Sequence, residues 1–382
     1  MKTLIISLLI AFLLSPLILS SEEKDHIFPE DTVASAKKII KIDDIADSLI
    51  FKPYGSIRMN VGASFDGLTE VQNGASRIGL HGKTMIIKDL WAVVQVELGL
   101  RIVDNERKLV YSGDPGGSIQ EFDNTITTRL GVLGVDTKWG SLTWGKQISP
   151  YYNVASLTDE LSAFGGEASG AFNLGDGSIS ATGRASYSSQ YNNKFGPIEI
   201  SLQLQHRTLT ENNKKFSDSY VGSVVYESDF GFTCGFAYAK VLDGVEQPTI
   251  LQPKKGDEAG VVGAAFKNKH FQFGAVYSVA HNHDEDGSGV DTNAVFFDNY
   301  GIELFAEYTL NKIWAAYAGY NYLKPFDNYK GQYKIDYSAL GVKYSFINAS
   351  FVFVEVKFEN SLTYDGRSGR PSVVACGMFY NF

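Results

Sequence analysis

Only two cysteines and six histidines occur in the 382 residues, and lysine and arginine (34) are outnumbered by aspartate and glutamate (43). Each shortage excludes a class of chemistry. Cys234 and Cys376 lie far apart in strand-like segments, where two small packing residues fit better than a disulfide; no Cys-x-x-Cys or zinc-ligand spacing exists. His26 precedes the regular part of the chain, His206 and His270 fall near segment ends, and His281 and His283 sit in an acidic stretch. His81 alone falls on the polar face of a segment, and no Gly-x-Ser-x-Gly accompanies it. The pairing needed for nucleophilic hydrolysis is therefore missing, and neither an enzyme nor a cofactor is expected. The net charge of -9 argues against a nucleic-acid partner. No metal is expected either. "HNHDEDGSGVD" (His281 to Asp291) matches the start of a calcium loop at Asp284, Asp286, Ser288 and Gly289, but Val295 stands at the closing position. Beyond residue 19 no apolar run is long enough to cross a bilayer as a helix.

What the chain does have is alternation. From Lys52 onward, short segments of period two recur between clusters of Gly, Asn, Asp and Ser. In Val93 to Val103 the polar or small set is Gln95, Glu97, Gly99 and Arg101, interleaved with Val94, Val96, Leu98, Leu100 and Ile102. In Ile198 to Arg207, Glu199, Ser201, Gln203 and Gln205 oppose Ile198, Ile200, Leu202 and Leu204. In Val352 to Glu359, Glu355, Lys357 and Glu359 oppose Val352, Val354, Val356 and Phe358. Such strands have one apolar and one wet face. A soluble sandwich would turn the apolar face inward; a membrane barrel turns it to lipid around a polar lumen. Three features favour the barrel: strands of about nine to thirteen residues, tight turns alternating with long polar loops, and aromatics near strand ends. Tyr317, Tyr320 and Tyr322 are read as part of such an interfacial girdle.

The fold expected is all-β: a transmembrane antiparallel barrel of about sixteen strands. They begin near Tyr54, Ser76, Trp91, Thr125, Ser141, Ala181, Gly196, Ser219, Gly231, Glu258, His270, Asn299, Lys312, Ile335, Ala349 and Pro371. Three parts follow. Residues 1–20 read as a signal peptide, with Lys2, an apolar core from Leu4 to Leu14, then Ser15 and Pro16. Residues 21–51 form a periplasmic extension, in which Val33, Ala36 and Ile40 keep helical spacing behind the possible caps Asp31 and Thr32. Residues 52–382 are the barrel. The end of the chain alternates Val374, Cys376, Met378, Tyr380, Phe382. It resembles the terminal-strand signal read by the barrel-assembly machinery of Gram-negative outer membranes, with Tyr380 and Phe382 as its last two apolar residues.

With those features in place, several motifs resemble the trimeric general porins of Gram-negative bacteria. "KPYGSIRMNVG" is similar to their first strand and "SRIGLHGK" to their second. "TTRLGVLGVDTKWGSLTWGKQ" resembles their fourth and fifth strands, and "TDELSAFGGEAS" the third loop, which folds into the barrel and narrows it. The likeness is best from Tyr54 to about Gln205. It implies an outer-membrane homotrimer, embedded in lipid, through which ions and small hydrophilic solutes diffuse passively. It also implies that the loop from about Asn105 to Asn124 reaches a neighbouring subunit.

The resemblance places arginines on the wall opposite the third loop. Arg77 and Arg129 match the family position for position; Arg58 and Arg184 fall on wet faces two and four residues from family positions, which Ser56 and Ser188 occupy here. Asp159, Glu160 and Glu167 are expected to supply carboxylates across the gap, although Ala163 replaces the acid in the middle of the family motif. Phe164 is expected to pin the loop, while Gly165 and Gly166 permit a tight turn. Opposed rows of charge would give weak ion selectivity and a transverse field that orients dipolar solutes; the sign of the selectivity stays open. The other reading is a structural or adhesive barrel whose loops bind external surfaces, which would need no inward acidic loop.

Overall fold

The computed structural model describes residues 50–103, 125–172, 180–206, 217–242, 257–285, 296–311, 313–368 and 370–382. The signal peptide, nearly all of the 21–51 extension, the loop 105–124 and the later part of the calcium-like stretch lie outside the described residues.

Among the described residues seventeen strands carry the fold: β1 (Ile50–Ser64), β2 (Thr69–Asn73), β3 (Arg77–Ile87), β4 (Leu90–Leu100), β5 (Ile126–Thr137), β6 (Gly140–Ile148), β7 (Arg184–Phe195), β8 (Ile198–Gln205) and β9 (Ser219–Glu227). They continue as β10 (Phe232–Val241), β11 (Glu258–Lys267), β12 (Phe271–Glu285), β13 (Phe296–Thr309), β14 (Trp314–Pro325), β15 (Ile335–Ser345), β16 (Phe351–Glu359) and β17 (Val373–Asn381). The expected strand starts all fall within a few residues of these. Every pairing is antiparallel between neighbours, and β1 pairs with β17 to close the sheet.

Seventeen strands make sixteen wall positions because β2 and β3 share one. β2 pairs with Met59 to Ala63 of β1, and β3 with Ile50 to Ser56. The break between them is chemical. Ala75 has φ 65, and the Ser76 hydroxyl replaces the ladder, accepting from the Arg58 N–H at 2.9 Å and donating to the Arg58 carbonyl at 3.1 Å. An isolated reading of the sequence misses β2, whose five residues follow a tight turn and precede this break.

The wall is inverted relative to a soluble protein. Val96, Leu202 and Phe358 on the apolar faces are exposed, whereas Gln203, Gln205, Glu355 and Lys357 on the wet faces are buried inside. Outward apolar residues over an inward polar set is the arrangement of a barrel solvated by lipid. Trp139 and Phe230 project at the tight-turn end. The girdle assignment needs one correction. Tyr320 and Tyr322 face outward and stack at 6.4 Å, but Tyr317 is buried in the lumen and donates to Glu355 at 2.8 Å. Strand parity dictates this, since 317 is an odd number of residues from 320.

Candidate constriction site

Between β6 and β7 the chain turns inward. Ser149 caps a short helix α1 (Pro150–Ala155) by accepting the Tyr151 N–H at 3.1 Å, and Pro150 starts it without an amide hydrogen to satisfy. Tyr151, Val154 and Ala155 are buried against Val221, Ala237, Val261 and Val276 of the interior wall. An apolar patch therefore exists inside the polar lumen, and its purpose is to seat this loop. Beyond the helix the loop runs along the inside of β12 to β17.

Two buried carboxylates hold it there. Glu303 of β13 accepts the N–H groups of Ala168 (2.8 Å) and Ser169 (2.7 Å) on one oxygen and the Thr158 hydroxyl (2.7 Å) on the other. Glu355 of β16 accepts the N–H groups of Ser162 (2.8 Å), Ala163 (3.3 Å) and Phe164 (3.1 Å), besides the Tyr317 hydroxyl. Each carboxyl group meets several donors, which is the condition for burying one. Asn321 of β14 accepts from the Glu167 N–H at 2.9 Å. At Gly301 the approach is so close that a Cβ would lie 1.7 Å from the Ala168 carbonyl oxygen, so only glycine permits it.

Phe164 is buried among Ala339, Val373 and Ala375, and its ring faces the Lys357 ammonium at 5.1 Å. The glycines after it behave differently from the expectation. Neither Gly165 nor Gly166 has a positive φ, and no turn forms there; among the described residues of the loop the left-handed ones are Gly170, at φ +72, and Ala181, at φ 61. Gly166 is small because Glu303 approaches it: an added Cβ would sit 2.6 Å from a carboxylate oxygen, whereas one at Gly165 would meet nothing within 4 Å.

Across the lumen stand the arginines, one each from β1, β3, β5 and β7. Arg58 sits over the Phe379 ring, its Cζ 4.5 Å from the centroid, and donates its Nε–H to Ser56 at 2.8 Å. Arg58 interacts electrostatically with Arg77 and Arg129, and Arg129 with Arg184. Held among them is Glu97 of β4, which reasoning from sequence left out of the site. It accepts the Arg129 Nε–H at 2.6 Å and the Tyr54 hydroxyl at 3.0 Å, and lies 4.0 Å from Arg77. Its signal was available: a carboxylate on the wet face of the strand between two arginine strands.

The expected acids go to three different places. Asp159 accepts the Tyr152 hydroxyl at 2.5 Å and lines a cavity of about 440 Å³ together with Arg58, Arg101 and Arg129. Glu160 accepts from Gln272 of β12 at 2.9 Å. Glu167 forms an ion pair with Arg370 at 2.5 Å. Arg370 lies in the loop before β17; burial disfavours its charge, but Glu167, Tyr333 and Glu359 together outweigh that and push its pKa above the ordinary arginine value. One carboxylate of the three thus shares the cavity with the arginines. At the other end of the chain, Gly55 and Phe382 exchange two backbone hydrogen bonds of 2.9 and 3.1 Å, with Tyr380 and Phe382 exposed on the outer face of the seam.

A family model described as "Gram-negative porin" matches residues 46–381. Outer membrane porin PhoE of Enterobacter cloacae is 29% identical over 282 residues, covering 70% of this chain and 77% of that protein. Outer membrane porin C of Salmonella typhimurium is 25% identical over 340 residues, covering 80% and 85%. Among solved structures, OmpF of Salmonella typhi superposes with a TM-score of 0.71 at 21% identity, over 88% of this chain and 98% of that one.

Proposed function

The chain belongs to the Gram-negative porin family, and from that premise we propose that solutes cross at the gap between the arginine wall and the inward loop. The protein is an outer-membrane porin, a channel for passive diffusion. The observation that carries the finer reading is the shared cavity of Arg58, Arg129 and Asp159, with loop backbone on one side and wall on the other. Arg58, Arg77, Arg129 and Arg184 set the positive side; Glu97 and Asp159 temper it. Glu160 and Glu167, tied elsewhere, contribute less than their charges suggest. Phe164 and Gly166 seat the loop, and Gly165 serves as a spacer.

The remaining assignments concern the rest of the molecule. Residues 1–20 direct export, residues 21–51 lie in the periplasm, and three copies assemble as a homotrimer in outer-membrane lipid. Tyr380 and Phe382 are the residues offered to the barrel-assembly machinery. Reconstitution in a planar bilayer with potassium chloride tests the channel directly. Stepwise, ohmic current is expected, and a pure preparation giving none would remove the reading.

A further inference from the structure

We infer that the constriction favours anions that carry an apolar or aromatic body over hydrophilic anions of similar size; this rests on the channel reading above. The two sides of the cavity are chemically unlike. The wall presents Arg58, Arg101 and Arg129. Among the described residues the loop presents Leu161, Ala163 and Phe172 with the carboxylate of Asp159, which already accepts a hydrogen bond from Tyr152. Glu160 and Glu167, the other described acids of the loop, are bound to Gln272 and Arg370. A basic face therefore stands opposite a largely apolar one, in place of two opposed rows of charge.

Phe172 is the telling residue. Its ring is 41% exposed, yet it lies on the loop inside the barrel, where no lipid covers it. It meets the half-buried Tyr152 ring edge-on at 5.2 Å, making an aromatic corner whose Phe172 side is open to the water-filled gap. Phe172 lines the same cavity as Arg58, Arg101 and Arg129, which sets its ring facing the arginine wall. A solute bearing a carboxylate or sulfonate at one end and a ring at the other can satisfy both faces at once. Guanidinium groups donate to the anion in a planar fork, and the aromatic corner takes the ring in offset or edge-on contact. A hydrophilic anion gains only the first contact. A cation with the same ring meets the arginines and is repelled.

Bi-ionic reversal potentials across single channels test this with benzenesulfonate, gluconate and phenyltrimethylammonium as probes, each measured against potassium chloride. Benzenesulfonate is expected to permeate about two- to fivefold better than gluconate, and phenyltrimethylammonium to fall behind potassium by more than its size accounts for. In Phe172→Ser the advantage of benzenesulfonate over gluconate should disappear, and in Phe172→Tyr it should return. Arg58→Gln should lower the permeability of both anions together. Equal permeation of the two anions in the wild type, or an advantage that survives Phe172→Ser, would overturn the inference while leaving potassium chloride conductance, and with it the channel reading, intact. Loss of all current would instead strike the channel reading itself.

Discussion

Glu97 is the residue whose charge matters most for its size, because it sits within the arginine cluster and not across from it. Replacing it by Gln keeps the shape and the acceptor for Arg129 but removes one negative charge. Two unit charges about 8 Å apart in water interact by roughly 0.5 kcal/mol, so the anion-to-cation permeability ratio should rise about twofold. A reversal potential in a tenfold salt gradient measures this, and raising the salt should shrink the change. The neighbouring glycines give a sharper contrast. Gly166→Ala forces a methyl group against the Glu303 carboxylate, an overpacking that costs about 1–3 kcal/mol. Gly165→Ala meets open space and should be silent. Comparing the temperatures at which the folded band collapses on electrophoresis separates the two; equal temperatures would contradict the contact.

At the scale of elements, the loop is held by side chains that belong to the wall, and that explains what could and could not be read beforehand. The strands were legible because period two is a local property: every few residues repeat the signal, and sixteen starts could be placed from it. β2 escaped because it is short and Ser76 interrupts the ladder after it. Tyr317 was read by its aromatic neighbourhood when parity was the better guide. Glu355 was read as a wet-face acid and Glu303 was not singled out; the role of both depends on loop amides 134 to 193 residues away, and no local pattern encodes that. Likewise nothing near Glu167 announces Arg370. The anchors carry a prediction. Hydrogen bonds to a charged acceptor are each worth about 1.5–3 kcal/mol. Glu355→Gln replaces one accepting oxygen with a donor that faces other donors, so the loop tip should detach. Conductance and current noise should both rise, and larger sugars should enter proteoliposomes faster in swelling assays. A variant with wild-type conductance and noise would show that Glu355 does not anchor the tip.

For the molecule as a whole, the outer surface and the seam decide assembly. Three pores in one particle should give current in groups of three equal steps, and the unheated protein should migrate as an oligomer that heat converts to monomer. Phe382→Ala and Met378→Ala both trim an outward apolar side chain of the last strand, but only the first removes the terminal aromatic beside Gly55. Outer-membrane levels measured for both should fall several-fold more for Phe382→Ala; equal levels would remove the terminal residue's special place.

The hydrogen bonds between Gly55 and Phe382 also impose an order in time. A wall whose first strand is completed by its last cannot close until β17 has been made. Until then Ile50–Ser64 lacks its β17 neighbour, and the unmatched edge could pair with any passing strand. Joining contacts of such long sequence separation are slow to form, so closure belongs to the end of biogenesis. The fifteen strands between β1 and β17 must therefore wait, held by something other than the barrel they will become.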